Sequence, residues 1–99
     1  MYSVIELRET TEFSKWLSEL KDRRARDRIQ VRLARLALGL AGDVEPVAEG
    51  VSELRIDYGP GYRVYFKRRG AKLTFLLAGG DKSTQRRDIK LALQLARNL

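Results

Sequence analysis

Two runs of alternating apolar and polar residues flank the turn sequence Gly59-Pro60-Gly61. Alternation sends successive side chains to opposite faces of a strand, and glycine beside proline favours a tight turn, so the pattern predicts an antiparallel hairpin. Its apolar face consists of Leu54, Ile56, Tyr62, Val64 and Phe66. Its other face consists of Arg55, Asp57, Arg63, Tyr65 and Lys67. Cations among aromatic rings suit a phosphate chain with attached bases, but a solvated outer sheet face has a similar composition.

The rest of the chain predicts an α+β domain with the element order βααβββα. Apolar residues spaced three and four apart indicate three helices, the first two joined by almost no loop. These helices are expected to begin at caps formed by Thr10 or Thr11, by Asp22, and by Asp81 or Ser83. The second and third helices are expected to end near Leu38 and Asn98. Alternation indicates strands over 2–8, 51–57, 61–68 and 71–78.

Glycine and proline mark the expected breaks between these elements. Residues 41–50 contain two glycines and a proline, which predict a loop, and Gly79-Gly80 is expected to end the last strand. The helical hairpin should pack on one face of an antiparallel-rich sheet, within a single domain over residues 1–99.

Composition restricts the chemistry that is open to the chain. The formal charge of +7 favours an anionic partner such as nucleic acid, an acidic protein or a membrane surface. Because the chain contains neither cysteine nor histidine, disulfides, zinc sites with thiolate or imidazole ligands, and Ser-His or Cys-His nucleophiles are excluded. The N-terminal residues do not read as a signal peptide, and the apolar runs are too short to span a bilayer, so a cytoplasmic protein is expected.

Two segments together resemble the RelE/ParE superfamily of bacterial toxins, and within it the HigB-like branch known as addiction-module killer proteins. The first is the hairpin 54–66, with Gly59-Pro60-Gly61 followed by Tyr62-Arg63. The second is 76–85, with Gly79-Gly80 followed by Asp81-Lys82-Ser83, and then Asp88-Ile89. The resemblance covers nearly the whole chain and implies a compact, curved-sheet fold like that of microbial ribonucleases.

The same resemblance implies a function and partners. It implies the toxin of a type II toxin–antitoxin pair that cuts mRNA in the ribosomal A site without a metal or cofactor. The implied partners are the mRNA, ribosomal RNA and a small neutralising antitoxin of the helix-turn-helix type. The ParE branch implies an alternative, non-enzymatic inhibition of DNA gyrase. A basic nucleic-acid-binding module without chemistry is a third interpretation.

The resemblance also assigns roles to three cations. Arg63 matches the arginine that contacts the scissile phosphate, and Arg55 lies where relatives have a catalytic lysine. Lys82 occupies the approximate position of a second phosphate-binding cation. The chain departs from relatives because it lacks their histidines, and Asp88 lies near the position of a tyrosine on the last helix. The identity of the general base is therefore open.

Metal-free RNA cleavage uses the 2′-hydroxyl as nucleophile and needs a proton acceptor, charge stabilisation and a proton for the leaving 5′-oxygen. Arginine stays protonated, so Arg55 and Arg63 can stabilise charge but cannot act as bases. The remaining candidates for proton transfer are Asp57, Tyr58, Tyr65 and Asp81. Asp81 is equally well explained as a helix cap, and Tyr58 either stacks on a base or packs beside the turn. Such groups predict a weak isolated nuclease that depends on the ribosome for substrate geometry.

A basic stripe on the second helix extends the cationic surface. Its members, Arg24, Arg28, Arg32 and Arg35, recur at helical spacing. A solvated helix face explains such a stripe, and so does contact with ribosomal RNA, to which Lys67 on the hairpin would add.

Overall fold

A computed structural model of the chain describes residues 4–99 and contains one five-stranded sheet with three α-helices. The strands are β1 (Glu6–Glu9), β2 (Val44–Ala48), β3 (Val51–Ile56), β4 (Tyr62–Arg69) and β5 (Leu73–Asp81). The helices are α1 (Thr11–Glu19), α2 (Arg23–Ala37) and α3 (Gln85–Arg97), and a 3-10 turn, Lys82–Thr84, precedes α3. The sheet order is β1-β5-β4-β3-β2, in which β1 is parallel to β5 and the other pairs are antiparallel. The predicted α+β class is confirmed.

The prediction of a loop over 41–50 is wrong, because this segment contains β2, which pairs with β3. Pro46 cannot donate a backbone hydrogen bond, but β2 is an edge strand, where proline is tolerated. Glu49 and Gly50 form the turn to β3 with φ angles of 52° and 81°. Two successive residues with positive φ are typical of the tight turns that join antiparallel strands.

Two strand ends also differ from the prediction. The first strand, predicted over 2–8, is observed as β1 from Glu6 to Glu9, and residues 1–3 lie outside the described part of the chain. The expectation that Gly79-Gly80 ends the last strand is wrong, because β5 continues through both glycines to Asp81. The glycines serve close packing instead. A Cβ atom on Gly79 would lie 2.2 Å from Cε3 of Trp16.

The substitution Gly79→Ala is expected to lower the free energy of unfolding by about 1–3 kcal/mol, because the added methyl overpacks against Trp16. Urea unfolding followed by circular dichroism measures the change. In a Trp16→Leu background the same substitution should cost clearly less, because the indole ring is no longer there. An equal cost in both backgrounds would show that the methyl group does not meet the ring.

Two apolar clusters cover the two faces of the sheet. One lies under α1 and α2 and contains the predicted apolar hairpin face, which is confirmed: Leu54, Ile56, Tyr62, Val64 and Phe66. The other lies under α3 and contains Tyr65, Leu77 and Ala92. The predicted polar hairpin face is therefore partly covered by α3. The expectation that Tyr65 lies on an open surface is wrong, because its side chain has no exposed area.

Within residues 4–99, no helix is both long and apolar enough to cross a bilayer.

Candidate functional site: a cationic groove

Arg55, Arg63 and Lys82 line one groove of about 450 Å³ at the turn between β3 and β4. Arg55 and Arg63 lie directly opposite each other on paired strands. Lys82 follows the end of β5, and its backbone amide donates to the Gly61 carbonyl at 3.0 Å, which ties it to the turn. The full lining is Asp43, Arg55, Asp57, Gly59, Pro60, Gly61, Arg63 and Lys82. The three cations named from the sequence thus meet in a single concavity.

Arg63 is held in a buried polar network. Its side chain is 9% exposed, its Nε lies 3.6 Å from Oε1 of Glu53, and its Nη1 donates to the Tyr62 carbonyl at 3.2 Å. Glu53, itself 5% exposed, accepts hydrogen bonds from the Tyr65 hydroxyl at 3.2 Å and from Nε2 of Gln85 at 2.5 Å. Burial and these contacts limit the orientations that the arginine can adopt, so less freedom is lost when an anion binds.

Sequence reasoning missed Glu53 and Gln85 and gave Tyr65 the wrong role. Burial, together with Glu53, raises the pKa of Tyr65 above its ordinary value, and its hydroxyl donates to that carboxylate. Tyr65 is therefore a support for Glu53 and does not reach the groove surface. The alternation that placed Arg55 on this face also places Glu53 there, so one signal was available. Gln85 comes from α3, and nothing local links it to β3.

Arg55 is paired with two carboxylates from the segment predicted as a loop. Its Nη2 lies 2.6 Å from Oδ1 of Asp43 and 3.3 Å from Oε1 of Glu45, and its Nε donates to the same Asp43 oxygen at 3.1 Å. The side chain is 34% exposed, so these partners can be exchanged in water. These carboxylates contact only Nε and Nη2 of the guanidinium, and their negative charge weakens the attraction of Arg55 for a phosphate.

Asp43 is expected to titrate below its ordinary value of 3.8, because its hydrogen bond with Arg55 lowers its pKa. A lowered folded-state pKa stabilises the protein above the unfolded value, and this contribution is lost as pH falls through the folded value. Carboxyl-carbon NMR across an acid titration measures the midpoint. In the variant Arg55→Gln the midpoint should return toward 3.8. A midpoint that does not respond to this substitution would contradict the pairing.

Two aspartates of the predicted site have different surroundings. Asp81 caps the 3-10 turn by accepting from the Ser83 amide at 2.8 Å, which is the capping role that the sequence also suggested. Asp57 is exposed and lines the groove, and its carboxylate makes no hydrogen bond or ion pair within residues 4–99. Asp57 is therefore the groove carboxylate that remains available to accept a proton or to bind a ligand group.

The basic stripe of α2 lines a second groove of about 520 Å³, which adjoins the first at Asp57. Three of its arginines belong to this lining, which consists of Asp27, Arg28, Val31, Arg32, Arg35, Ile56 and Asp57. Arg32 donates to the carbonyls of Arg55 at 2.7 Å and Ala41 at 3.1 Å, so it braces β3. Arg24 is exposed and does not belong to either lining.

Tyr58 and Lys67 lie apart from the groove surface. The Arg28 guanidinium lies 4.7 Å from the centroid of the Tyr58 ring, and the Tyr58 hydroxyl donates to Asp22 at 3.1 Å. Burial and this hydrogen bond raise the pKa of Tyr58. These contacts show that Tyr58 packs beside the turn, which is the second of the two roles that the sequence left open for it. Lys67 pairs with Val51 at the other end of the hairpin, so the groove does not include it.

The fold and the groove define a small basic α+β protein with a cluster of cations at one end of its sheet. The chain is 50% identical over 95 residues to a protein of Haemophilus influenzae whose name is given as "uncharacterized protein", and the match covers 96% of each chain. The chain belongs to the same family as that protein. No protein-family model matches it.

Proposed function

We propose that this chain is a toxin of the RelE/ParE superfamily, in the HigB-like branch, with the microbial-ribonuclease-like version of the α+β fold. Its activity is ribosome-dependent, metal-independent cleavage of mRNA, and its partner is a small antitoxin. The observation that supports this most directly is the convergence of Arg55, Arg63 and Lys82 on one groove. Arg55 and Arg63 come from the two paired strands β3 and β4, whereas Lys82 follows β5, and the resemblance assigns a role to each of the three.

The groove supplies charge stabilisation in a cleavage reaction. The 2′-oxygen of the RNA attacks phosphorus, the bond from phosphorus to the 5′-oxygen breaks, and the 2′-hydroxyl proton passes to a base while the 5′-oxygen gains a proton. Arg63 can bind two phosphate oxygens with its planar fork, and Lys82 adds a point charge. Both stabilise the negative charge that grows in the transition state.

Proton transfer is the weaker part of this site. Arg63 cannot accept a proton, and the Asp43 carboxylate is committed to Arg55, which lowers its pKa. Asp57 is the groove carboxylate left to receive the 2′-hydroxyl proton. A carboxylate is a weak base compared with the histidines of other nucleases, so most of the rate gain must come from orientation of the RNA. The ribosome supplies that orientation in this proposal.

A second candidate function is nucleic-acid binding without chemistry. It is favoured by the pairing of Arg55 with Asp43 and Glu45, which compensates one of the three groove cations. A binding module needs neither a free Arg55 nor a proton acceptor. Gyrase inhibition, the activity of the ParE branch, likewise requires no chemistry from the groove.

Induced expression of the wild-type chain in bacterial cells, with transcriptome-wide mapping of mRNA ends, separates these functions. The endonuclease proposal expects translation arrest together with new, discrete ends inside coding regions. DNA damage without new mRNA ends would favour gyrase inhibition and contradict cleavage. Growth arrest with neither signal would favour the binding module.

A further inference from the structure

Four cations lie around the start of α3, and the resemblance to the toxins assigns a role to only one of them, Lys82. We call Lys82, Arg86, Arg87 and Lys90 the α3 patch. They line two adjoining shallow grooves of about 470 and 480 Å³, together with Ser83, Thr84, Gln85 and Ile89. In the described chain, residues 4–99, no carboxylate belongs to either lining. The groove beside α2 differs, because Asp27 and Asp57 lie among its arginines.

The cations of the α3 patch do not serve the stability of the helix. The N-terminal end of a helix bears a partial positive charge, so Arg86 and Arg87 in the first turn are electrostatically disfavoured. The first turn contains one acidic residue, Asp88, which is 5% exposed and accepts a hydrogen bond from Thr84. The Arg87 side chain is 79% exposed, and its Nε lies 3.6 Å from Asp88. Lys82, Arg86 and Lys90 are exposed as well, so most of the positive charge of the patch faces solvent.

The patch is continuous with the candidate site. Lys82 lines both the candidate groove and the first groove of the α3 patch, so an extended anion bound at Arg63 and Lys82 can continue toward Arg86. We propose that the α3 patch binds the phosphodiester backbone of single-stranded RNA where it leaves the candidate groove. This inference builds on the proposed function and places the flanking RNA on α3, away from the α2 stripe that the sequence suggested.

RNA fits this surface better than an acidic protein segment does. Docked protein segments bury apolar side chains, whereas the two linings hold one large apolar residue, Ile89, among cations and hydroxyl groups. Single-stranded nucleic acid requires a track of cations along a groove, which the patch provides. Arginine forks at Arg86 and Arg87 are suited to phosphate oxygens.

The test compares two triple variants that change the net charge equally. One is Arg86→Gln, Arg87→Gln and Lys90→Gln, which leaves Lys82 intact. The matched control is Arg68→Gln, Arg69→Gln and Lys72→Gln. These residues lie at the β4–β5 turn, and Lys82 follows β5 at the opposite end of the same pair of strands. The probe is a labelled single-stranded RNA with 2′-O-methyl groups, which prevents cleavage, and fluorescence anisotropy gives Kd at several salt concentrations.

Loss of three phosphate contacts should flatten the slope of log affinity against log salt by about 2, because each contact on single strands contributes about 0.7. The patch variant should show this loss and the control should keep the wild-type slope. An RNA dinucleotide, too short to leave the groove, should bind both variants equally. Equal slopes in the two variants would overturn the inference. So would a patch variant that binds RNA normally but loses binding to polyglutamate.

The outcome is separable from that of the proposed function because the probe cannot be cut. If the wild-type chain leaves mRNA intact while the patch variant loses the salt slope, the RNA track is real and the nuclease proposal fails. If mRNA is cut while the slope is unaffected, cleavage stands and the RNA leaves the groove elsewhere.

Discussion

Under the proposed endonuclease function, the variant Arg63→Lys is expected to cut mRNA at least about 100-fold more slowly than the wild type while remaining folded. Lysine keeps a positive charge beside Glu53, so the buried carboxylate is not left without a counter-charge. It loses the planar fork that can contact two phosphate oxygens at once. Cleavage rates in a reconstituted translation reaction, at saturating protein, measure the change.

The matched control is Arg69→Lys, the same substitution at the exposed far end of β4. It should cut at the wild-type rate. If both variants keep full activity, Arg63 does not contact the scissile phosphate. If both lose activity equally, the effect comes from the chemistry of the substitution and not from the groove.

The substitution Arg63→Ala would change the stability of the protein as well as its activity. An arginine on an open sheet face could be removed without cost, but here removal leaves Glu53 buried without its counter-charge. The double variant Glu53→Gln, Arg63→Ala avoids that penalty, because a glutamine oxygen can still accept from Tyr65 and Gln85. The double variant should be folded and inactive.

The second large effect concerns stability. Glu53→Ala is expected to lower the free energy of unfolding by about 3–5 kcal/mol, because it strands a buried guanidinium and removes an acceptor shared by two donors. Glu53→Gln should cost less, since it removes the charge but keeps an acceptor oxygen. Urea unfolding followed by the fluorescence of Trp16, the single tryptophan, measures both.

Glu45→Ala is the control for this prediction. Glu45 also pairs with an arginine of the groove, but it lies at the surface, so its loss should change stability by less than about 1 kcal/mol. Similar costs for Glu53→Ala and Glu45→Ala would contradict the view that burial makes the Glu53 network important.

Local periodicity was sufficient for most of the fold. The hairpin alternation correctly placed Leu54, Val64 and Phe66 in the core, because each strand has one strongly apolar face. It failed at Pro46 and at Gly79, where residues that usually break strands are tolerated for tertiary reasons. An edge position accommodates the proline, and contact with Trp16 requires the glycine. Neither reason is visible in a local window of sequence.

The candidate site was predictable in its cations but not in their partners. Arg55 and Arg63 follow from alternation on paired strands, and the resemblance supplied Lys82. The carboxylates that pair with these arginines were missed. Asp43 lies in the segment that was wrongly predicted as a loop, and the hydrogen bond to Glu53 comes from Gln85 on α3, which is distant in the sequence. Burial of Tyr65 under α3 was missed for the same reason, because it depends on which face α3 covers.

The chemistry of the RNA ends tests the central claim most directly. The protein is first washed with a chelator to remove bound metal and is then added to a translation reaction. Attack by the 2′-oxygen predicts upstream fragments that end in a 2′,3′-cyclic phosphate or a 3′-phosphate. It predicts downstream fragments that begin with a 5′-hydroxyl. A single 2′-deoxy substitution at the cut position should block that cut. Downstream fragments with 5′-phosphates, or cutting that survives the 2′-deoxy substitution, would contradict the account.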